Sequence, residues 1–323
     1  MVFSERGIPM TGAAYEIQPM QPAKKKNIWK TLWDQKWLML MSIPMLLYVL
    51  LFNYYPLWGW RYAFLSNIKK GAEWIGFDNF EWIFGEKYFW LGFRNTLAMS
   101  VINLVFGTLS SILLAILLNE VRNRAFKRTV QTVTYLPHFL SMVIVVGMAQ
   151  NMFISEGPVN QLLMAIKLID KPIWWLGDEG RHFWFLAGLI NIWKEVGWNS
   201  IIYISTMTSI DPTLYEAAAI DGAGRFQRIL HVTLPGIKST FVVLLIMNIG
   251  HLMEAGFELQ YLLGNDQVYD FSQTLDVFVM EYGIQNNKYG RAIAAGMFKS
   301  VIAIILLFAA NFVAKKLDED TLL

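Results

Sequence analysis

The sequence predicts an all-α membrane protein with six transmembrane helices. Composition is the first reason: of 323 residues, 55% are hydrophobic and only 16% charged, where a soluble domain carries about 25% charged residues. Length is the second. Residues 97–118 run without a charge, and about 20 apolar residues rising 1.5 Å each cross the roughly 30 Å of hydrocarbon in a bilayer. The third is the gathering of Trp, Tyr and Phe beside such runs, where interfacial segments concentrate aromatic rings. A net charge of +2 is too weak to imply nucleic acid, and the absence of cysteine excludes disulfides, thiolate metal sites and thiol nucleophiles.

Taken in order, residues 1–36 form a polar tail with Lys24, Lys25, Lys26, Lys30 and Lys36 ahead of the first apolar run. A basic start followed by an apolar stretch resembles a signal peptide, but this run is long and has no small-residue cleavage pattern, so it reads as a retained first span over 37–57. An aromatic-rich outer loop follows. The second span is 97–118, and a short basic loop holds Arg122, Arg124, Lys127 and Arg128. The third span is 130–154, then an outer loop to 182, and the fourth is 183–204. The fifth is 240–263, a third outer loop runs to 291, and the sixth is 292–314. Residues 315–323 are a polar tail. The membrane-spanning body is therefore 37–314. Both termini fall on one side, and the dense basic clusters, which favour the cytoplasm, fall there too.

Between the fourth and fifth spans lies a segment too lightly apolar to cross a membrane, residues 210–236. Asp211 before Pro212 is a helix start, because a side-chain acceptor caps free N–H groups and proline suits the first turn. Gly222 and Gly224 break the run where positive φ costs little. A second short helix fits Arg225 to His231, with Phe226, Ile229 and Leu230 on one face, and Pro235 ends it.

The residues of that segment carry a resemblance. Glu216, Ala217 and Ala218, then Gly222, Val232, Leu234 and Pro235, follow the pattern E-A-A, three residues, G, nine residues, I, one residue, L-P, with Val232 in place of isoleucine. This resembles the signature loop of binding-protein-dependent ABC importer permeases, with Asp221 just ahead of the glycine. Leu118 to Asn123, Val130 to Phe139, Gly197 to Tyr203, Ile249 to His251 and Ala310 to Phe312 look like the polysaccharide and oligosaccharide branch of sugar permeases, which includes permeases for alginate and pectin-derived oligosaccharides. The resemblance implies a type I importer permease fold in a bacterial inner membrane. It also implies a second homologous permease, two ABC ATPases in contact with the loop, and an extracytoplasmic solute-binding protein. No G-x-x-x-x-G-K-S/T phosphate loop is present, so ATP and magnesium belong to the partner ATPases and no cofactor is expected on this chain.

Polar residues inside spans are the candidates for a substrate path, since charge at membrane depth is costly and normally faces a cavity or a partner. In the fourth span these are Trp193, Lys194, Glu195, Trp198 and Asn199. Lys194 lies one turn from Trp198, and Glu195 one turn from Asn199. In the fifth, His251, Glu254 and Glu258 follow helical spacing, with Glu254 and Glu258 on one face. In the sixth, Lys299 is the lone charge. Two readings fit them: the wall of a translocation path, or a polar interface between helices and with a second permease. In the branch this chain resembles, positions like Lys194 and Lys299 are commonly neutral, and a change to cations suits a carboxylated sugar; internal pairing with Glu195, Glu254 or Glu258 suits a structural role. No Ser-His-Asp set, paired carboxylate or metal-ligand spacing emerges, and His138, His182, His231 and His251 are scattered. Transport of another solute, or a membrane enzyme acting on lipid-linked sugars, are the alternatives. The enzyme would account for intramembrane Glu and Lys but leave the loop pattern unexplained.

Overall fold

The computed structural model describes residues 33–68 and 71–316; the basic stretch at Lys24 to Lys30 and most of the C-terminal tail lie outside these. The chain divides into two compact units at Trp58 and Gly59. The described residues are helical apart from loops and one bridge between Leu65 and Trp74. The first unit holds all but the last turns of α1 (Lys36–Phe64), which starts as an α-helix, passes through a π turn at Leu50–Tyr54 and finishes as a 3-10 helix. Leu40, Leu46, Leu50 and Phe52 are exposed on its sides, and a helix apolar all round suits lipid. It runs past residue 57, where the apolar signal fades.

In the second unit α2 (Asp78–Gly85) leads into α3 (Lys87–Glu120), a long helix with a π turn at Asn103–Gly107. The expected third span is not one helix. Instead α4 (Arg124–Tyr135), capped by Asn123, is followed by a 3-10 turn (Leu136–Phe139), an extended break, and α5 (Met142–Phe153), capped by Ser141. The break follows from Pro137, which supplies no N–H for a continuing helix, and from Ser141, whose Oγ accepts from the N–H of Ile144 at 3.5 Å. Next come α6 (Pro158–Ala165) and α7 (Phe183–Thr208). Then α8 (Pro212–Ile220) and α9 (Arg225–Gly236) lead into α10 (Lys238–Gly250), with a 56° bend between the last two.

The expected fifth span is also broken. α10 ends at Gly250, the chain turns through residues 251–256, and α11 (Phe257–Leu263) begins after Gly256, whose φ of +86° a β-carbon would resist. Short α12 (Tyr269–Ser272) and α13 (Leu275–Val279) precede α14 (Tyr289–Lys316). Among the described residues four segments are long and apolar enough to cross a membrane: Lys36–Phe64, Lys87–Glu120, Met142–Ala165 and Tyr289–Lys316. The bent pair α9–α10 makes a fifth if counted as one span. At 26 residues α7 is long enough, about 39 Å, but Lys194 and Glu195 interrupt its apolar run.

Three apolar clusters hold the second unit. Met99, Val145, Phe183, Leu186, Ile190, Leu259 and Leu263 join α3, α5, α7 and α11. Phe89, Leu275, Phe278, Ala294 and Ala295 join α3, α13 and α14. Ala115, Tyr203, Met207 and Ile237 tie α3 and α7 to the end of α9. Close crossings use small residues, as in other membrane helices: a β-carbon at Gly197 of α7 would overlap the carbonyl of Thr134 on α4.

Candidate functional site

The segment between α7 and α10 folds as the sequence implies. Asp211 caps α8, its Oδ1 accepting from the N–H of Thr213 at 2.9 Å, which holds the carboxyl below the usual range. α8 ends in a turn in which the N–H of Gly222 donates to Ala219 O and that of Ala223 to Ala218 O. Gly222 has φ of +80° with open space about it. Gly224 starts α9, its N–H donating to Gln227 Oε1 at 2.8 Å. The arms are tied together by the Tyr215 and Thr233 hydroxyls, 3.0 Å apart. One expectation needs correcting: Pro235 does not end the second helix. A π turn at Ile229–Thr233 carries the chain on to Gly236, because the slack of that turn accommodates a residue without an N–H.

This segment presents Glu216, Ala217, Asp221 and Gly222 to the outside. Ile220 and Phe226, 87% and 75% exposed, are large apolar side chains left uncovered beside the turn, which marks a contact surface. Behind the turn, Ala218, Asp221, Gly222, Ala223, Gln227, His231 and Val232 line a groove of about 300 Å³.

A second concavity, about 380 Å³, lies among α3, α7, α10 and the turn after α10, within the usual size range of ligand sites, roughly 300–1,000 Å³. Its polar lining comprises Ser100, Asn103, Asn191, Glu195, Asn199, Asn248, His251 and Glu254 among others. Ser100 Oγ and Asn103 Oδ1 are buried without a protein partner, and Asn103 opens the π turn of α3, a device that re-aims side chains at functional sites.

The cavity therefore gathers Glu195, Asn199, His251 and Glu254 from the sequence candidates. It leaves out Trp193, Lys194, Trp198, Glu258 and Lys299. Glu254 and Glu258 do not share a helical face: Glu254 sits in the break, 3.3 Å from His251 Nδ1, and Glu258 lies in the first turn of α11. Lys194 does not stack on Trp198. It is buried, 7% exposed, and its Nζ donates to His138 O at 2.8 Å and to Glu195 Oε1 at 3.2 Å. Trp198 instead lies flat on His138, ring centres 4.4 Å apart and 4° from parallel. Lys299 pairs with Asp276 of α13, not with any of the three glutamates considered from sequence. Asp276 belongs to a stretch that reads as outer loop but packs back against α14 through Leu275 and Phe278.

Ser100 and Asn103 are absent from the sequence candidates because their span, 97–118, holds no charged residue to draw attention to it. Ser100, Asn103, Gly107 and Ser111 nevertheless recur at helical spacing through an otherwise apolar run, and that stripe was the available signal.

The family model for binding-protein-dependent transport system inner membrane components matches residues 105–319, which takes in most of the cavity lining, the loop and the helix after it. The chain belongs to that family. It is accordingly a transport subunit and a multi-pass protein of the inner membrane. Protein LplB of Bacillus subtilis strain 168 is 41% identical over 312 residues, covering 94% of this chain and 96% of that one. The polygalacturonan/rhamnogalacturonan transport system permease protein YteP of the same organism is 41% identical over 308 residues, covering 92% and 93%. Among solved structures, a bacterial alginate ABC transporter in complex with an alginate pentasaccharide-bound periplasmic protein contains a chain 36% identical to this one. That chain superposes with a TM-score of 0.83, over 90% of this chain and 98% of its own. The type I importer permease fold is thus shared.

Proposed function

We propose that this permease is one of two in a bacterial ABC importer that moves an acidic oligo- or polysaccharide across the inner membrane. The observation that carries this reading is the cavity, where amides, hydroxyls and a carboxylate from three helices converge. Hydroxyl-rich ligands need such donors and acceptors, and polar groups gathered around an open cavity at membrane depth suit a ligand path. The saccharide class is supported by the names of the similar proteins, YteP and the alginate transporter. Six spans, with both termini and residues 210–236 in the cytoplasm, complete the reading, α7 and the broken stretch 240–263 that includes most of α10 being two of the six.

Coupling runs through the loop. Two partner ATPases bind ATP and magnesium and hold Glu216, Ala217, Ala218, Asp221 and Gly222, with Val232, Leu234 and Pro235 shaping the second arm. α9 continues through its bend into α10, and α10 supplies Leu244 and Asn248 to the cavity wall. Movement of the loop as the ATPases close therefore reaches the cavity through one continuous stretch of chain. Alternating access requires such a two-state element biased by ligand at both ends.

A neutral saccharide is the second reading. It is favoured by the lining itself, whose charged members include Glu195 and Glu254 but no Lys or Arg. Reconstitution of the complete transporter in proteoliposomes separates the two. ATP hydrolysis should rise several-fold when the solute-binding protein is added with alginate or galacturonate tetrasaccharide, and much less with maltotetraose. Stimulation by maltotetraose alone would select the neutral reading, and stimulation by no saccharide would remove both.

A further inference from the structure

Glu195 lines the cavity, and both of its oxygens are engaged by side chains that do not. Oε2 lies 2.8 Å from His138 Nδ1 and Oε1 lies 3.2 Å from Lys194 Nζ. Toward an ionised carboxylate each nitrogen can only donate. Lys194 does not itself line the cavity, and it spends a second donor on His138 O at 2.8 Å. The His138 ring is fixed by its stack on Trp198. The carboxylate is thus held between α7 and the 3-10 turn that precedes the break at Ser141. A carboxylate offers about four lone-pair sites. Two are used, so acceptor capacity remains on a group that borders the cavity. Asn191 and Asn199 flank it one turn away on either side and line the same wall.

We propose that Glu195 accepts hydrogen bonds from sugar hydroxyls in this cavity, and that Lys194 is a positioning residue which orients the carboxylate and cancels its charge. Charge-assisted acceptors bind hydroxyls roughly twice as strongly as neutral ones, which makes a carboxylate useful on a saccharide path. Uncompensated, the same group would repel a uronate at close range in a medium of low dielectric constant. Lys194 removes that conflict from within the protein, without offering a cation to the sugar. A lysine at this position therefore suits an acidic substrate indirectly. This inference rests on the saccharide reading above.

The test compares uptake of the tetrauronide that the wild-type transporter imports with uptake of its methyl ester, which keeps the hydroxyls and loses the charge. Glu195→Gln should raise KM for both about tenfold, the effect of losing one charge-assisted contact, with a smaller change in kcat. Lys194→Met should lower the acid-to-ester uptake ratio by about tenfold, Lys194→Arg should preserve it, and the double variant Lys194→Met with Glu195→Gln should bring it back to within about twofold of wild type. A purely structural Lys194 would depress both substrates equally and leave the ratio unmoved, which would overturn the proposal. So would Glu195→Gln with wild-type KM values, a result that stands even if Lys194→Met fails to assemble. Wild-type import of no tetrauronide would remove the acidic-saccharide reading and this inference with it, whereas import with insensitivity to Glu195→Gln removes this inference alone.

Discussion

Lys299 shows how a single charge at membrane depth is accommodated. Its ammonium meets the Asp276 carboxylate, with the two side chains 19% and 24% exposed, so the pair sits between the surface and buried extremes. Exposed pairs contribute under about 1 kcal/mol, whereas removal of one partner from a buried pair costs about 3–5 kcal/mol. Lys299→Gln should therefore destabilise the subunit by about 1–2 kcal/mol, seen as a lower unfolding temperature, and leave the substrate preference of uptake unchanged. An altered acid-to-ester uptake ratio in this variant would show that Lys299 faces the path after all. The pairing itself was not legible in the sequence, since Asp276 is 23 residues distant and lies in a stretch whose hydropathy resembles a loop. His138 and Glu195 are hidden for the same reason, being 57 residues apart. Charge at depth announces that a partner exists; only the packing names it.

At the scale of elements, what the sequence discloses follows how local the determining interaction is. The loop at 210–236 was readable because Asp211, Pro212, Gly222 and Gly224 each act on their own backbone within a few residues. The breaks at Leu140–Ser141 and at 251–256 were masked by the long, largely apolar runs on either side, although Pro137, Ser141 and Gly256 were there to mark them. Gly222 gives the sharpest prediction at this scale. Its φ is +80° and no atom lies within 4 Å of the place a β-carbon would take, so a substitution strains the backbone without a clash. That conformation costs an L-residue about 1–2 kcal/mol, and a β-branched one resists it most. Gly222→Val should leave the subunit inserted and assembled but reduce ATP-driven uptake by about tenfold or more, because the turn between α8 and α9 must reshape. Gly222→Asn, which tolerates positive φ, should retain most activity. Equal transport by both variants and wild type would mean that the turn is only a connector.

The second unit holds three apolar clusters and the polar cavity, and two helices connect that cavity to the loop. α7 carries Glu195 and Asn199 on the cavity side while its end packs Tyr203 and Met207 against Ile237 of the loop cluster. α10 carries Asn248 to the same cavity and begins at the bend below α9. The loop and the cavity are thus two ends of the same pair of helices, as a coupled transporter requires. The central claim is that substrate passes along this wall. The chain has no cysteine, so Asn199→Cys introduces a unique thiol there, in a transporter assembled with cysteine-free partners. During ATP-driven turnover in proteoliposomes, a small membrane-impermeant thiol reagent should stop tetrauronide uptake, and the tetrauronide delivered by its binding protein should slow the modification several-fold. Complete modification with uptake intact, or a modification rate indifferent to the saccharide, would contradict the account.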